Sequence, residues 1–414
     1  MILVIFICQK RYEYFNLLKV FDEKKHRFIA LLQKNSDFHI SKAEENIFEK
    51  IINVDTLTDK CISQIIEDEI QQGFHPNNIR IVCPDELRLL MAAQLREKYK
   101  IPGEHENTLL FFRDKILMKE RLQNSNVRVP KFLKMKSDHI ILSVNDLFNE
   151  LKSKIGTPFL FKPINGASSF GVKVISNTSE LQDWLKSIVN INEYEAEEFI
   201  NGKLFHCDSF VNNGIIQFCS ISQYMFPCLD FTLGKPMGTM PLIESSPIFQ
   251  AIHQFNERII QVMGLGNGVT HLELFVAQNT QEIIFVEIAA RPSGGPVVKL
   301  LENTYGVNLY ELSLRLELSE TIRITKKQPK EFYAACYLPV RKGKIAALIE
   351  PTLNCNYILE WEVTTGEIVN SDADSVVARR AGIVWFNGDY DAVSKDFEYL
   401  KTFTPISYES IADN

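Results

Sequence analysis

Blocks of apolar residues alternate with helical patterns along the first hundred positions, and this order predicts an open α/β sheet. Three apolar runs, at 2–8, 27–32 and 79–83, have the length of buried strands. Residues 85–100 instead carry apolar side chains at helical spacing, and a Pro-Gly turn signal follows. Strands that alternate with helices favour an open sheet with helices on its faces. No G-x-G-x-x-G follows the first strand, so a dinucleotide site is not expected there.

The rest of the chain divides by its pattern into a mixed region and a β-rich end. Helix and strand patterns alternate over 141–190, whereas 195–290 is rich in strands and interrupted by a predicted helix near 247–263. A basic, proline-containing run at 326–330 is typical of a linker, and a helix is predicted near 390–401 in the β-rich end. We therefore predict domains at 1–112, 113–325 and 326–414, the second divided into lobes at 113–194 and 195–325.

Two apolar segments on either side of a polar turn at 278–281 predict a β-hairpin. Side chains alternate along a strand, so Glu273 shares a face with His271, and Glu287 shares a face with Phe285. If the hairpin bends at its polar turn, Glu273 lies opposite Glu287, with Cβ atoms roughly 5 Å apart.

Two carboxylates that face each other in an apolar hairpin are destabilising unless something positive lies between them. A divalent cation meets this need, because Mg²⁺ takes one or two protein carboxylates and fills its other positions with phosphate oxygens and water. The alternative is that Glu273 and Glu287 lie on a solvated face. Three further segments favour the metal.

The first segment is a strand that ends in Lys162-Pro163 and is followed by a loop of small residues at 166–171. Glycines let backbone N–H groups approach an anion closely, and serine hydroxyls add donors. The lysine supplies a point charge suited to a phosphate. Taken alone, the segment is as often a simple hairpin turn. The candidate anion-binding residues are Lys162, Gly166, Ser168, Ser169 and Gly171.

The second segment, 195–208, passes from acidic residues through an apolar pair to an Asn-Gly turn. Its backbone offers hydrogen-bond donors and acceptors between apolar side chains, which suits the edge of a purine base. The alternative is an ordinary strand–turn–strand without a ligand. The third segment is Arg113-Asp114-Lys115, which opens an amphipathic helix. A lysine in such a place is usually a solvated surface residue.

In this order and spacing, the segments resemble the ATP-grasp superfamily over roughly residues 80–320, and most of all its carboxylate–amine ligases, including L-amino-acid ligases. The resemblance implies an ATP-grasp fold, preceded by a Rossmann-like pre-ATP-grasp domain and followed by a small β-rich lobe. The matching positions are Lys115, Lys162-Pro163 with the loop 166–171, the hinge Glu197-Glu198-Phe199-Ile200-Asn201-Gly202, and Glu273 with the Glu-x-x-x-Arg-Pro-x-Gly-Gly run from Glu287 to Gly295.

The resemblance also implies ligands and residue roles. Mg²⁺, for which Mn²⁺ can substitute, would be held by Glu273 and Glu287. Arg291 would orient the carboxylate or the acylphosphate, and Gly294 and Gly295 would let the backbone contact the tetrahedral intermediate. His271 would contact substrate or be a packed core histidine. ATP would be bound by Lys115, Lys162, Gly166, Ser168, Ser169, Gly171, Glu197, Glu198, Phe199 and Ile200, with Asp208 reaching the ribose.

Two positions depart from the family pattern. Many members carry an asparagine metal ligand two residues after the second carboxylate, where this chain has Ala289. Whether one or two Mg²⁺ ions bind is therefore open. The carboxylate that usually holds the ribose just after the hinge is replaced by Lys203 and Leu204.

The composition of the chain argues against some classes of binding partner. The chain has 414 residues and a net charge of −7, which argues against a nucleic-acid or anionic-membrane surface. Its first apolar run is too short for a signal sequence or a membrane span. Eight cysteines without a C-x-x-C pair indicate reduced residues in a cytoplasmic protein. Small-molecule carboxylate and amine substrates are the expected partners, and a homodimer is one expected assembly.

The reaction implied by the resemblance transfers the γ-phosphoryl group of ATP to a carboxylate, and an amine then attacks the acylphosphate. Two other functions are compatible with the same fold. One is an ATP-dependent carboxylase of the biotin-carboxylase type, which would depend on bicarbonate. The other is a non-catalytic ATP-binding protein, which would bind ATP without turnover.

Overall fold

The computed structural model describes residues 1–8, 12–34, 40–372 and 379–409. The strands in chain order are β1 (Ile2–Ile7), β2 (His26–Gln33), β3 (Phe48–Val54), β4 (Ile79–Val82), β5 (Phe132–Lys134), β6 (Phe159–Pro163), β7 (Lys173–Ile175), β8 (Tyr194–Glu198), β9 (Gly202–Asn212), β10 (Ile215–Tyr224), β11 (Met237–Pro241), β12 (Gly268–Ala277), β13 (Ile283–Ala289), β14 (Phe332–Leu338), β15 (Gly343–Leu348), β16 (Asn356–Trp361), β17 (Ile368–Val369), β18 (Gly382–Gly388) and β19 (Ile406–Tyr408).

The α-helices in chain order are α1 (Leu17–Val20), α2 (Lys42–Glu45), α3 (Asp59–Gln71), α4 (Leu89–Tyr99), α5 (Glu106–Leu109), α6 (Lys115–Gln123), α7 (Val144–Ile155), α8 (Thr178–Ser187), α9 (Pro247–Met263), α10 (Val297–Tyr305), α11 (Leu309–Glu317) and α12 (Tyr390–Leu400). Short 3-10 helices lie at Tyr12–Phe15, Pro76–Asn78, Glu86–Arg88, Leu110–Phe112, Ser137–Ile140, Ile191–Glu193 and Cys228–Leu233. In the part of the chain that the structure describes, no helix is both long and apolar enough to cross a membrane.

The N-terminal strands form a parallel sheet in the order β3-β2-β1-β4. The predicted open α/β sheet is therefore confirmed, with β3 added to the three strands that the apolar runs predicted. Both faces are covered, because alternate residues of β1 enter two different apolar clusters. A parallel sheet buried on both faces explains why these strands are continuously apolar.

Three antiparallel sheets follow, within the described residues. The four-stranded sheet has the order β5-β8-β6-β7, and the eight-stranded sheet has the order β13-β12-β9-β10-β11-β14-β18-β16. The last three strands of the eight-stranded sheet come from beyond residue 331, so the β-rich C-terminal segment continues this sheet through main-chain hydrogen bonds. A third sheet has the order β17-β15-β19.

The β12–β13 hairpin pairs Glu273 with Glu287, as predicted from the sequence. A β-bulge interrupts the pairing, because Leu274 pairs with Phe285 and Val286 is left over. The expectation that Phe285 and Glu287 share a face is therefore wrong. Phe285 is fully buried in the core, whereas Val286 and Glu287 both line a cavity on the opposite face. A bulge puts one extra residue into a strand and so shifts the alternation of faces.

Candidate active site

A cavity of about 150 Å³ lies where the four-stranded and the eight-stranded antiparallel sheets meet. Most of the predicted nucleotide-binding residues line it. The side chains of Lys115, Lys162, Glu273 and Glu287 reach it from α6, β6, β12 and β13. Gly166 and Ser169 of the small-residue loop and the hinge residues Glu197, Glu198, Phe199 and Ile200 complete this part of its wall. Ser168 and Gly171 lie outside the lining.

The helix N-cap explains how Lys115 reaches the cavity. The Asp114 side chain accepts hydrogen bonds from the N–H groups of Ile116 and Leu117, at 2.9 and 3.0 Å, and so begins α6 at Lys115. The Lys115 Nζ lies 2.7 Å from the Gly166 carbonyl and 3.0 Å from Glu287 Oε2. Sequence reasoning would place this lysine at the surface, but it is buried beside Glu287, one of the two predicted metal ligands.

The two facing carboxylates are held by different partners. Burial disfavours the charged form of Glu287, but the ammonium groups of Lys115 and Lys162 outweigh it and lower the pKa of Glu287 to about 2. Glu273 accepts a hydrogen bond from the Tyr224 hydroxyl at 3.1 Å, and its Oε1 lies 3.4 Å from His271 Nε2. Within the described residues, each carboxylate is in contact through one oxygen, so each keeps a second oxygen for a cation.

Lys162 belongs to a buried cluster of two lysines and two glutamates. Its Nζ lies 2.7 Å from Glu197 and 3.7 Å from Glu195. Lys119 contacts the same two carboxylates, at 2.6 Å for Glu195 and through a short contact for Glu197. Burial disfavours the Lys162 ammonium, yet the carboxylates of Glu197, Glu195 and Glu287 raise the pKa of Lys162 above its ordinary value.

Sequence reasoning missed Lys119 and Glu195, although a signal for both was present. Lys119 follows Lys115 by four residues, which places both on one face of α6. Glu195 precedes Glu197 by two residues, which places both on one face of β8. The period shows that each pair shares a face, but burial of the cluster becomes visible only when α6 packs against β8 in the folded protein.

The two glutamates of the hinge already have polar partners within the protein. The Glu198 carboxylate accepts hydrogen bonds from Arg128 at 3.0 and 3.1 Å and from the Lys131 N–H at 2.9 Å. Glu197 lies in the ionic cluster with Lys162. The apolar side chains of Phe199 and Ile200 therefore remain to contact a planar ligand, and Phe199 is exposed.

The small-residue loop has an unusual backbone. Ser168 and Ser169 both have positive φ, at 58° and 57°, which side-chain-bearing residues rarely adopt. Gly171 has φ of 72°, and a Cβ there would lie 3.0 Å from the Pro163 ring. Strained residues of this kind cluster at ligand sites and moving loops, where the surrounding structure holds them.

The structure contradicts the expectation that Asp208 reaches a ribose. Asp208 is fully buried in β9, and both of its oxygens are occupied. Oδ2 lies 2.6 Å from His206 Nδ1, and Oδ1 lies 2.9 Å from His271 Nδ1. Asp208 also lies outside the lining of the smaller cavity, so its carboxylate is not placed where a ligand of that cavity could contact it.

Arg291 follows the end of β13 by two residues and bridges to Glu86, in the 3-10 helix Glu86–Arg88 after β4. Its Nε donates to Glu86 Oε2 at 2.9 Å, and a second guanidinium nitrogen makes a short contact with the same oxygen. The other Glu86 oxygen accepts from Arg113 at 2.6 Å, and Arg113 also donates to the Asn165 carbonyl at 2.7 Å beside the loop. Glu86 was not anticipated from the sequence, because its neighbours come from distant segments.

The glycines after Arg291 differ in their surroundings. Gly294 is exposed, whereas Gly295 has φ of 58° and a Cβ there would lie 2.9 Å from the Tyr337 hydroxyl. A second, larger cavity of about 470 Å³ is lined by Arg291 and by the buried side chains of Arg80 and Arg96. It lies between the N-terminal sheet, the start of β12 and the end of α11.

Comparison with known proteins agrees with this geometry. Residues 155–299 match the model of an ATP-grasp domain. The chain is 26% identical over 334 residues to an L-arginine-specific L-amino acid ligase of Bacillus subtilis, covering 78% of this chain and 76% of that protein. It is also 26% identical over 262 residues to the alanine–anticapsin ligase of Bacillus subtilis strain 168, covering 56% of this chain but only 52% of that ligase.

Among solved structures, the L-amino acid ligase from Bacillus licheniformis superimposes with a TM-score of 0.73, at 16% identity and over 99% of both chains. This likeness concerns the fold, and it extends over the N-terminal sheet, the antiparallel sheets and the C-terminal strands. The chain therefore contains an ATP-grasp domain, and its whole length has the fold of the ATP-grasp enzymes.

Proposed function

We propose that this protein is an ATP-dependent carboxylate–amine ligase that joins amino-acid-like substrates through an acylphosphate, with release of ADP and phosphate. The observation that carries the proposal is the convergence of Glu273, Glu287, Lys115 and Lys162 on one cavity. Cationic groups beside paired carboxylates suit the binding of a polyphosphate and its metal. The ligase activity of the two Bacillus subtilis relatives supports the same reaction class.

ATP would lie in the smaller cavity, between the hinge and the small-residue loop. Phe199 and Ile200 would contact the base, and the ammonium groups of Lys115 and Lys162 would attract the phosphates. The loop around Ser169 would cover the phosphates and exclude water, which protects an acylphosphate from hydrolysis. With Asp208 enclosed, the chain would hold the ribose by groups other than a carboxylate of β9.

The carboxylate pair fits a divalent cation, because oxygen donors on facing strands are the ligands that Mg²⁺ prefers. When bound, Mg²⁺ would neutralise charge on the transferring phosphoryl group. Glu273 and Glu287 would hold it, and Lys115 would keep Glu287 ionised. Mn²⁺ is expected to bind the same oxygens.

The acid and the amine would approach from the side of the larger cavity, which Arg291 borders. A guanidinium fork matches a planar carboxylate, so Arg291 would orient the acid or its acylphosphate. Gly294 and Gly295, which follow it, would bring the backbone close to the tetrahedral intermediate. His271 contacts Asp208 and Glu273, so we assign it to the support of the carboxylate pair. We place the reaction in the cytoplasm, because none of the eight cysteines, all of which the structure describes, forms a disulfide.

The test is a screen of ADP release against pairs of amino acids and small carboxylic acids, with mass spectrometry of the products. We expect an amide, with one ADP and one phosphate per bond. Glu287→Gln should abolish turnover, whereas Glu282→Gln, an exposed residue of the same hairpin, should leave it unchanged. AMP and pyrophosphate as products, a requirement for bicarbonate, or ATP binding without turnover against any pair would contradict the proposal.

A further inference from the structure

Three buried side chains form a connected group beneath the carboxylate pair. His206 and Asp208 belong to β9, and His271 belongs to β12, directly opposite Asp208 in the sheet. Asp208 lies between the two rings, at 2.6 Å from His206 Nδ1 and 2.9 Å from His271 Nδ1. Both ends of the group continue into polar neighbours.

At one end, His206 Nε2 lies 2.7 Å from the Thr239 hydroxyl of β11. At the other end, His271 Nε2 lies 3.4 Å from Glu273 Oε1, the same oxygen that accepts the hydrogen bond from Tyr224. The path Thr239–His206–Asp208–His271–Glu273 thus joins β11, β9 and β12 through three hydrogen bonds and a final contact of 3.4 Å. We call this path the relay.

The hydrogen bonds within the relay argue against a separate metal site there. By residue type, His206, Asp208 and His271 could hold an ion, and their donor atoms lie within 4.8 Å of one another. However, each ring uses Nδ1 for a hydrogen bond to Asp208, which turns the two Nε2 atoms outward to different partners. A shared position for an ion would require both hydrogen bonds to break.

A buried carboxylate is costly unless hydrogen bonds compensate for the lost water. Asp208 meets this cost with two ring N–H groups, and the result is that both imidazole rings are fixed in orientation. His271 therefore presents Nε2 to Glu273 in one position. Outer partners of metal ligands commonly orient them in this way, and their loss typically lowers metal affinity by about 10–100-fold.

We propose that Asp208 is a positioning residue, which acts through His271 to fix Glu273 in place for a divalent cation, with Thr239 and His206 holding the far end of the relay. The proposal rests on the proposed function, because it assumes that Glu273 is a metal ligand. It assigns the buried aspartate of β9 to the metal side of the site and not to the nucleotide.

The test separates metal binding from nucleotide binding. Electron paramagnetic resonance titration of Mn²⁺ in the presence of ADP measures the affinity for the cation, and calorimetry without metal measures the affinity for ADP. Asp208→Asn keeps the shape but loses one acceptor, so we expect Mn²⁺ affinity to fall by about 10–100-fold. Metal-free ADP affinity should stay within about twofold of the wild type.

A second pair of variants covers the case in which Asp208→Asn fails to fold. Thr239→Val removes the hydroxyl group at the far end of the relay and should weaken Mn²⁺ binding by a smaller factor. Thr239→Ser retains the hydroxyl group and should bind Mn²⁺ with the affinity of the wild type. Ser209→Ala is the matched control, because Ser209 is fully buried next to Asp208 but bonds Asn256, at 2.8 Å, away from the relay.

The outcomes distinguish a failure of the positioning role from a failure of the metal assignment. Unchanged Mn²⁺ affinity in a folded Asp208→Asn protein would overturn the positioning role alone, and so would unchanged affinity in Thr239→Val if Asp208→Asn does not fold. An equal loss in Ser209→Ala would overturn it as well. A parallel loss of metal-free ADP affinity would also overturn it, since the effect would then be structural. A wild-type protein that binds ADP but no Mn²⁺ would overturn the metal assignment and the positioning role together.

Discussion

Buried lysines border the smaller cavity, and each of them contacts a carboxylate. Lys162 illustrates the consequence, because its ammonium is buried against Glu197 and borders the cavity. Burial without such a carboxylate would favour the neutral amine. The pairing therefore keeps a positive charge available at the position where we expect phosphates to bind.

The first prediction concerns Lys162. Ligand that binds the native state stabilises it by RT ln(1 + [L]/Kd), or about 2.7 kcal/mol at a hundredfold excess over Kd. Lys162→Met should shrink the rise in melting temperature that ADP and Mg²⁺ produce. Lys173→Met is the control, because Lys173 is exposed on the neighbouring strand β7. The comparison uses the ligand-induced shift, since the variant also disturbs the ionic cluster. An undiminished shift in Lys162→Met would remove this lysine from the nucleotide site.

The second prediction separates two roles of Arg291. If Arg291 only bridges to Glu86, then Arg291→Lys and Glu86→Gln should have similar effects on stability and turnover. If Arg291 also orients the carboxylate, Arg291→Lys should lose an additional 2–4 kcal/mol of transition-state stabilisation, about the value for one preorganised oxyanion donor. The measurement is kcat/KM for acid-dependent ADP formation, with ADP affinity as the control. Equal losses in both variants would assign Arg291 to structure alone.

Among the secondary-structure elements, the hairpin shows what sequence patterns can and cannot predict. The alternation of apolar and polar residues predicted both strands and the facing pair Glu273 and Glu287. It could not predict the bulge at Val286, because a bulge depends on the pairing of two strands and leaves no mark on either alone. The misassigned Asp208 has a similar cause, since its partner His271 comes from a strand paired to β9 only in the folded sheet.

The third prediction concerns α6 and its attachment to β8. Lys119 is fully buried and contacts both Glu195 and Glu197. Removal of one partner from a buried ionic cluster leaves an uncompensated charge and typically costs about 3–5 kcal/mol. Lys119→Met should therefore lower the free energy of unfolding by about that amount in denaturant titrations. Glu120→Gln on the exposed face of α6 should change it by less than about 0.5 kcal/mol. A loss below 1 kcal/mol for Lys119→Met would show that the cluster is not stabilising.

For the whole molecule, the N-terminal sheet and the helices after the hairpin share one apolar core. Val4, Phe6 and Phe28 of β1 and β2 belong to the same cluster as Tyr310 and Leu314 of α11. Polar contacts join the same parts, as Arg80 donates to the Glu317 carbonyl at 2.7 Å. The sequence pattern identified each part but not this contact, because residues separated by some three hundred positions carry no local signal of their packing.

The last prediction follows from this shared core. If the N-terminal sheet and the ATP-grasp domain are stabilised by the same cluster, they should unfold together. Leu314 is fully buried, and large-to-small changes in a core cost about 2–5 kcal/mol. Leu314→Ala should therefore lower the denaturant midpoint of amide protection equally for β1 and for β12, as measured by hydrogen exchange with mass spectrometry. Leu87→Ala, at a residue that is 67% exposed, is the control and should shift neither. Loss of protection in β1 alone would show that the N-terminal sheet unfolds separately from the ATP-grasp domain, although the two share this cluster.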